Sequence, residues 1–391
     1  MSFDEMKTYA LSELCEIKYG KDHKKLLDGS VPVYGTGGIM RYADSHLYDK
    51  ESVLIPRKGT LSNIFFVKGK FWTVDTLFWT KINEEIIIPK FLYYNLRTIN
   101  FSEMNVGSAV PSLTTELLNR VQLDIPSLDK QKSIANILSS LDDKIELNNK
   151  INKNLEELAQ TLYKRWFVDF EFPNENGEPY KSSGGEMVES ELGLIPNGWQ
   201  IKTIFDIADT VLGGTPSRSN STFWGKGHQW LKSGELNNLR IIKGTESITD
   251  LGLKSSATKL MPIGTTLIAI TGYVGIISML EIEACANQSV VGVIPNDKYP
   301  RSYIFGLIKE EIETIASKQT GSAQQHINKN DINSHRFICP TEQLIKQFCS
   351  IVESLNKNIA INLFENQKLS QLRDELLPKL MNGEIEVPIE E

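Results

Sequence analysis

A shift of 214 residues brings the later part of each half of this 391-residue chain into register with the other, without a gap. Gly107-Ser108-Ala109 falls on Gly321-Ser322-Ala323, and Pro126 on Pro340. Leu141, Ile145, Asn148, Leu155, Leu158 and Leu162 fall on Leu355, Ile359, Asn362, Leu369, Leu372 and Leu376. Earlier in each half the match is looser: Val53-Leu54-Ile55 resembles Thr266-Leu267-Ile268, each followed by a Gly-containing turn at Gly59 or Gly272. A repeat of this kind restricts the chain to a duplicated architecture. The order is globular domain, helix, globular domain, helix.

The helices are read from the absence of breakers. After Pro126 the run to Phe167 has no Gly or Pro, and Ser127 stands where a helix N-cap is expected. Ile134, Leu138, Leu141, Ile145, Asn148, Asn152, Leu155, Ala159 and Leu162 form a heptad seam. The second run gives Phe348, Val352, Leu355, Ile359, Asn362, Asn366, Leu369, Arg373 and Leu376. Antiparallel pairing about the midpoints sets Asn148 and Asn152 opposite Asn362 and Asn366. A slip of one heptad would bury amides against Leu or Ile with no hydrogen-bond partner. The alternative places these asparagines on solvent-facing flanks.

The predicted domains are 1–128, 129–170 (central helix), 171–198 (linker), 199–340 and 341–391 (C-terminal helix and tail). The segment 171–195, rich in Gly, Pro, Ser, Asn and Glu, reads as an exposed linker. Strand-like runs such as SVLIP, NIFFV, TLFWT, TLIAI, IISML and SVVGVI alternate with helical patterns such as IPKFLYYNLR. The fold class expected is α+β: two such domains with twisted antiparallel strands, alternating with two long helices that pair as an antiparallel coiled coil. Leu260 to Leu280 carries no charge and has the length of a membrane span. Its Pro262, Gly264, Gly272 and Gly275 fit two buried strands joined by a turn instead. Net charge is −7, but the excess acid sits in 171–198 (net −5) and 341–391 (net −4). The globular parts are neutral or slightly basic, so a polyanion would meet a local patch. Four cysteines without CxxC spacing and a charged N-terminal stretch predict a reduced, cytoplasmic protein with no membrane contact.

These features, with Leu212-Gly213-Gly214-Thr215-Pro216-Ser217, the Asn287-Gln288-Ser289 run, Gly321-Ser322-Ala323-Gln324-Gln325 and the IPNGW element at 195–199, carry a family resemblance. The chain resembles the specificity subunit of type I restriction–modification systems over essentially its whole length. The first domain departs in having Val110-Pro111 where the second has Gln324-Gln325, as expected if the two read different half-sites. The resemblance implies two target-recognition domains on double-stranded DNA, each docking on one half of a split asymmetric site. It implies helices that space the domains and dock two methyltransferase subunits, with nuclease–translocase subunits completing the complex. Base flipping and methyl transfer would belong to the methyltransferase. A helix of about 35 residues is roughly 50 Å long, enough for half-sites about one turn of B-DNA apart.

No Asn-Pro-Pro-aromatic or Asp-Pro-Pro-aromatic tetrapeptide, no GxxxxGK[ST] loop, no GxGxxG and no HExxH occurs. The reading is a non-catalytic subunit with no cofactor and no metal. The nearest alternative is the specificity subunit of a methylation-only or related restriction system. A coiled-coil protein scaffold that binds no DNA is the third reading. For DNA contact, Arg57-Lys58-Gly59-Thr60 with Asn63 joins cations to small hydrogen-bonding residues at a strand end, a mixture suited to phosphates and base edges. The loop from Gly35 through Gly37 to Arg41 is a second candidate. Thr215, Ser217, Arg218, Lys232, Thr271, Tyr273, Gln324 and Gln325 are those of the second half, with ordinary solvated loops as the alternative for each. Lys164-Arg165-Trp166-Phe167 reads as a basic–aromatic helix end, partner packing being favoured over a cap on the domain core. Exchanging residues 1–128 for another such domain is expected to alter one half-site in a DNA-selection assay and leave the other unchanged. Changes in both halves would contradict the modular organisation.

Overall fold

A computed structural model describes residues 6–107, 110–318 and 326–388. The chain forms two compact units, one of Met1–Glu146 with Asn366–Glu391 and one of Leu147–Glu365. The duplication is visible in the element bounds. The helices Leu128–Phe167 and Glu342–Met381 are 40 residues each and related by the 214-residue shift. The same shift relates strand Gln122–Ile125 to Arg336–Cys339 and helix Thr115–Asn119 to Lys329–Asn333.

In the first unit, a two-stranded ribbon pairs Lys7–Ala10 with Gln122–Ile125. One four-stranded antiparallel sheet has the order Cys15–Tyr19, Leu77–Ile82, Ser52–Pro56, Phe65–Val67. The Ser52–Pro56 strand is buried along its whole length, as expected of a continuous apolar run inside a sheet. The other sheet runs Gly38–Ala43, Asp28–Gly35, Lys70–Thr73, Tyr48–Asp49, and its central pair is parallel. The core gathers Leu14, Phe78 and Phe91 with Ile134 and Leu138 of the first long helix and Leu377 and Leu380 of the second.

The second unit holds a five-stranded sheet in the order Asp209–Leu212, Val290–Ile294, Thr266–Ala269, Ile277–Leu280, Arg240–Ile241. A three-stranded sheet joins Glu246–Ile248, Trp224–Leu231 and Ala284–Ala286. The uncharged stretch 260–280 forms two antiparallel strands, Thr266–Ala269 and Ile277–Leu280, and no described helix is long and apolar enough to cross a membrane. Antiparallel pairs predominate, as expected, and among the described residues three pairs are parallel, where connections are long enough to return the chain.

Two further expectations are corrected. Trp166 and Phe167 lie 6% and 4% exposed, packed against Phe348 with ring centroids 5.8 and 4.9 Å away, so this helix end caps its own domain's core. The segment read as an exposed linker is folded over part of its length. Met187–Ser190 and Gly193–Pro196 form a hairpin, and Phe172 stacks between Tyr180 and Trp199 at 4.5 and 5.3 Å. Its polar composition conceals a few aromatic anchors that bind it to the core.

In each unit charged side chains tie the two long helices to the rest of the domain, and in the second unit these are buried. In the second unit the guanidinium of Arg240, on an edge strand of the sheet, donates to Glu156 of the first helix (2.6 Å), to Asn356 of the second (2.7 Å) and to Glu281 just past the Ile277–Leu280 strand (2.7 Å). Arg240, Glu156, Glu281 and Asn356 are all less than 10% exposed. Glu281 also accepts from Arg301, which is paired with Glu353, and Asn356 donates to Ser302. In the first unit Asp142 accepts from Tyr94 at 2.6 Å and from Arg373 of the second helix at 2.7 Å. Removing one partner of a buried pair leaves the other charge uncompensated, at a cost of about 3–5 kcal/mol. Arg240→Met is therefore expected to lower stability by about that amount, read from urea unfolding followed by tryptophan fluorescence. Adding Glu156→Gln should restore part of it. A loss below about 1 kcal/mol, the range of exposed pairs, would contradict the structural role of Arg240.

Candidate nucleic-acid interface

In the second unit the Gly213–Ser217 loop is held by backbone contacts that only glycine permits. A Cβ on Gly213 would lie 2.1 Å from the Asn287 carbonyl oxygen, and one on Gly214 2.6 Å from the Thr258 nitrogen. This is the local reason for the paired glycines: the loop lies directly on neighbouring backbone. Gly213 and Gly214 donate to the Val290 and Ala286 carbonyls at 2.9 and 2.8 Å. Thr215 donates to Gln288 at 2.5 Å. Two indoles close the loop from below, Trp230 donating to the Gly214 carbonyl (2.9 Å) and Trp224 to that of Ser217 (3.1 Å).

That clamp presents Ser217 and Arg218 to solvent. The Ser217 and Ser219 hydroxyls are 2.9 Å apart. Arg218 lies over the Trp224 ring, 3.6 Å from its centroid, and pairs with Glu246, whose other oxygen takes Lys232. Hydrogen bonds from Lys232 and Arg218 hold the Glu246 carboxyl below the usual carboxylate range. Tyr273, 54% exposed, has its ring beside Gly234 in the turn that follows Lys232. The structure thus gathers Ser217, Arg218, Lys232 and Tyr273 into one neighbourhood, with Thr215 at its base. Thr271 is bridged to His326. Gln324 and Gln325 lie outside the described residues.

In the first unit three loops converge. Asn63 donates its amide to the Thr36 carbonyl at 2.9 Å, and Thr36 lies beside Gly59, whose φ of +89° is a glycine conformation. Gly59 donates to Pro111 at 2.9 Å, and Lys58 is bridged to Ser112. Arg57 donates to the Asp75 carbonyl at 2.9 Å and lies over Tyr19, 5.4 Å from the ring centroid. Gly37, Lys58 and Thr60 are exposed around them. Arg41 is not part of this group: it is turned along its hairpin to Asp28 (2.6 Å) and the Leu26 carbonyl (3.2 Å). A nearby carboxylate outcompetes an open loop for a guanidinium, and its distance of thirteen residues in sequence hid it.

Of the seam asparagines, Asn152 and Asn362 are brought together, the Asn362 amide donating to the Asn152 carbonyl oxygen at 2.8 Å. Asn148 is buried and donates to Glu365 at 2.7 Å. Asn366 is buried as well. Sequence reasoning overlooked Trp224, Trp230 and Glu246. Two tryptophans within one strand, six residues beyond an arginine loop, were the available signal; Glu246 left none, being one carboxylate among many. The four cysteines are buried thiols without disulfides, and burial pushes Cys15 and Cys349 up to about 12, which keeps them protonated at neutral pH.

Comparison with known proteins places this geometry. Residues 4–157 and 196–372 match the type I restriction modification DNA specificity domain. The HindI specificity subunit of Haemophilus influenzae is 28% identical over 379 aligned residues, covering 82% of this chain and 81% of that protein. The MjaIX specificity subunit of Methanocaldococcus jannaschii is 26% identical, covering 87% and 79%. The crystal structure of a type I restriction–modification S subunit from M. genitalium shares the fold, with a TM-score of 0.57, 16% identity and 97% of each chain covered. With the family match spanning most of its length, the chain belongs to the type I restriction–modification DNA specificity family.

Proposed function

We propose that this chain is the non-catalytic, DNA-reading subunit of a cytoplasmic type I restriction–modification complex. The domains over residues 1–128 and 199–340 each read one half of a split, asymmetric site on double-stranded DNA. The long helices space the half-sites and dock two methyltransferase subunits, and nuclease–translocase subunits join that assembly. The observation that carries the reading is a repeated frame bearing two unlike heads. The helices and the strand before each repeat at 214 residues, while the sheets between them differ, four plus four strands in one unit and five plus three in the other. A repeated frame gives a single chain the symmetry of a dimer, and unlike heads on it suit a non-palindromic site. Family membership supports the same assignment.

In the first head, phosphate contact falls to the exposed Lys58. Base-edge reading falls to hydrogen-bonding side chains: Arg57, Thr60 and Asn63 in the first head, Thr215, Ser217, Arg218, Lys232 and Tyr273 in the second. The complex of this chain with its methyltransferase should bind site-bearing duplex with an affinity that falls linearly with the logarithm of salt concentration. Lys58→Ala should weaken binding to all sequences alike and reduce the salt slope by about 1. A stable protein complex that shows no salt-dependent DNA affinity would favour the coiled-coil scaffold.

A further inference from the structure

The second head holds one cation in a manner that stability does not explain. Arg218 sits in a corner made by two indoles, 3.6 Å from the Trp224 centroid and 4.8 Å from that of Trp230, the rings themselves at 87° to each other. Both indoles donate to the loop that carries Arg218, at Gly214 and Ser217. Glu246 takes one end of the guanidinium. The side chain nevertheless stays 49% exposed. An exposed Arg–Glu pair adds little to stability, the two cation–π contacts add a modest amount, and the rotamer entropy lost in ordering an arginine offsets them. The clamp therefore adds little to folding, but it removes that entropy from any later binding step.

Resting on the DNA-reading assignment above, we propose that Arg218 is a specificity-determining residue that reads one guanine through a bidentate contact to O6 and N7. Trp224, Trp230 and Glu246 are its positioning residues. A planar, permanently charged fork matches two ligands in DNA, a phosphate and the major-groove edge of guanine. Glu246 decides between them. A phosphate held by the free side of Arg218 brings a full negative charge close to the Glu246 carboxylate, whereas the guanine edge is neutral and only offers acceptors. Lys232, on the other Glu246 oxygen, is a point charge without a fork and holds the carboxylate from that side.

The test selects bound duplexes from a library randomised over the half-site assigned to residues 199–340, using the full chain with its methyltransferase. Wild type should require a guanine at one position that Arg218→Ala relaxes by about 5- to 150-fold, other positions being kept. Replacing that guanine by 7-deazaguanine, which lacks N7, should weaken wild type and leave Arg218→Ala unaffected. Glu246→Gln keeps the shape of the clamp but removes its charge. It should reduce discrimination at the same position while raising affinity for unrelated DNA, an opposition of sign that a merely structural residue does not produce. If Arg218→Ala and Glu246→Gln keep every base preference and change only overall affinity, Arg218 is a phosphate contact and the inference is overturned. If wild type shows no base preference in either half-site, the DNA-reading assignment itself fails.

Discussion

Burying a guanidinium is tolerable only where its charge is balanced and its donors are met by acceptors, and Arg240 imposes that condition on the second unit. Its three oxygen acceptors come from Glu281, just past a sheet strand, and from both long helices. The helices can therefore pack on the sheet in one register, since a shift of one turn would strand a charge away from water. Apolar packing around Tyr163, Phe348 and Val352 supplies most of the contact, but such surfaces slide more readily than a charge network does. The first unit uses a partly exposed counterpart, Asp142 accepting from Tyr94 and from Arg373. Asp142 and Asn356 occupy equivalent places in the repeat, one an anion and the other an amide. The duplicated frame has kept its geometry while its polar docks have diverged.

That rigidity matters for what the frame carries. A reading head discriminates bases only if its side chains are held to within a fraction of an ångström. In the second unit the chain of support is continuous from core to surface. The sheet edge carries the Gly213–Ser217 loop, two indoles anchor the loop, and the loop sets Arg218 against Glu246. In the first, the Asn63 amide on the Thr36 carbonyl and the main-chain contacts of Lys58 and Gly59 with residues 112 and 111 do the equivalent work, with Arg57 over a single ring, Tyr19.

Periodicity made the frame legible. A long run without Gly or Pro and a heptad seam give helices whatever their surroundings, and the runs SVLIP and TLIAI give strands for the same local reason. The candidate residues Ser217, Arg218 and Lys232 came from loop composition, and the structure sets them side by side. What stayed hidden depends on partners distant in sequence. Arg240 reads as one cation in a polar stretch until Glu156 and Asn356, 84 and 116 residues away, are placed against it. Arg41 looked free because Asp28 lies across a hairpin. The segment after Phe170 looked like linker because three aromatic anchors are outnumbered by polar residues.

The most direct test of the account is a genome-wide map of methylated adenine in cells expressing the partner methyltransferase with and without this chain. The account predicts a split motif with two unlike half-sites that appears only when both proteins are present. The same motif without this chain, or no methylation despite a stable complex, would contradict it.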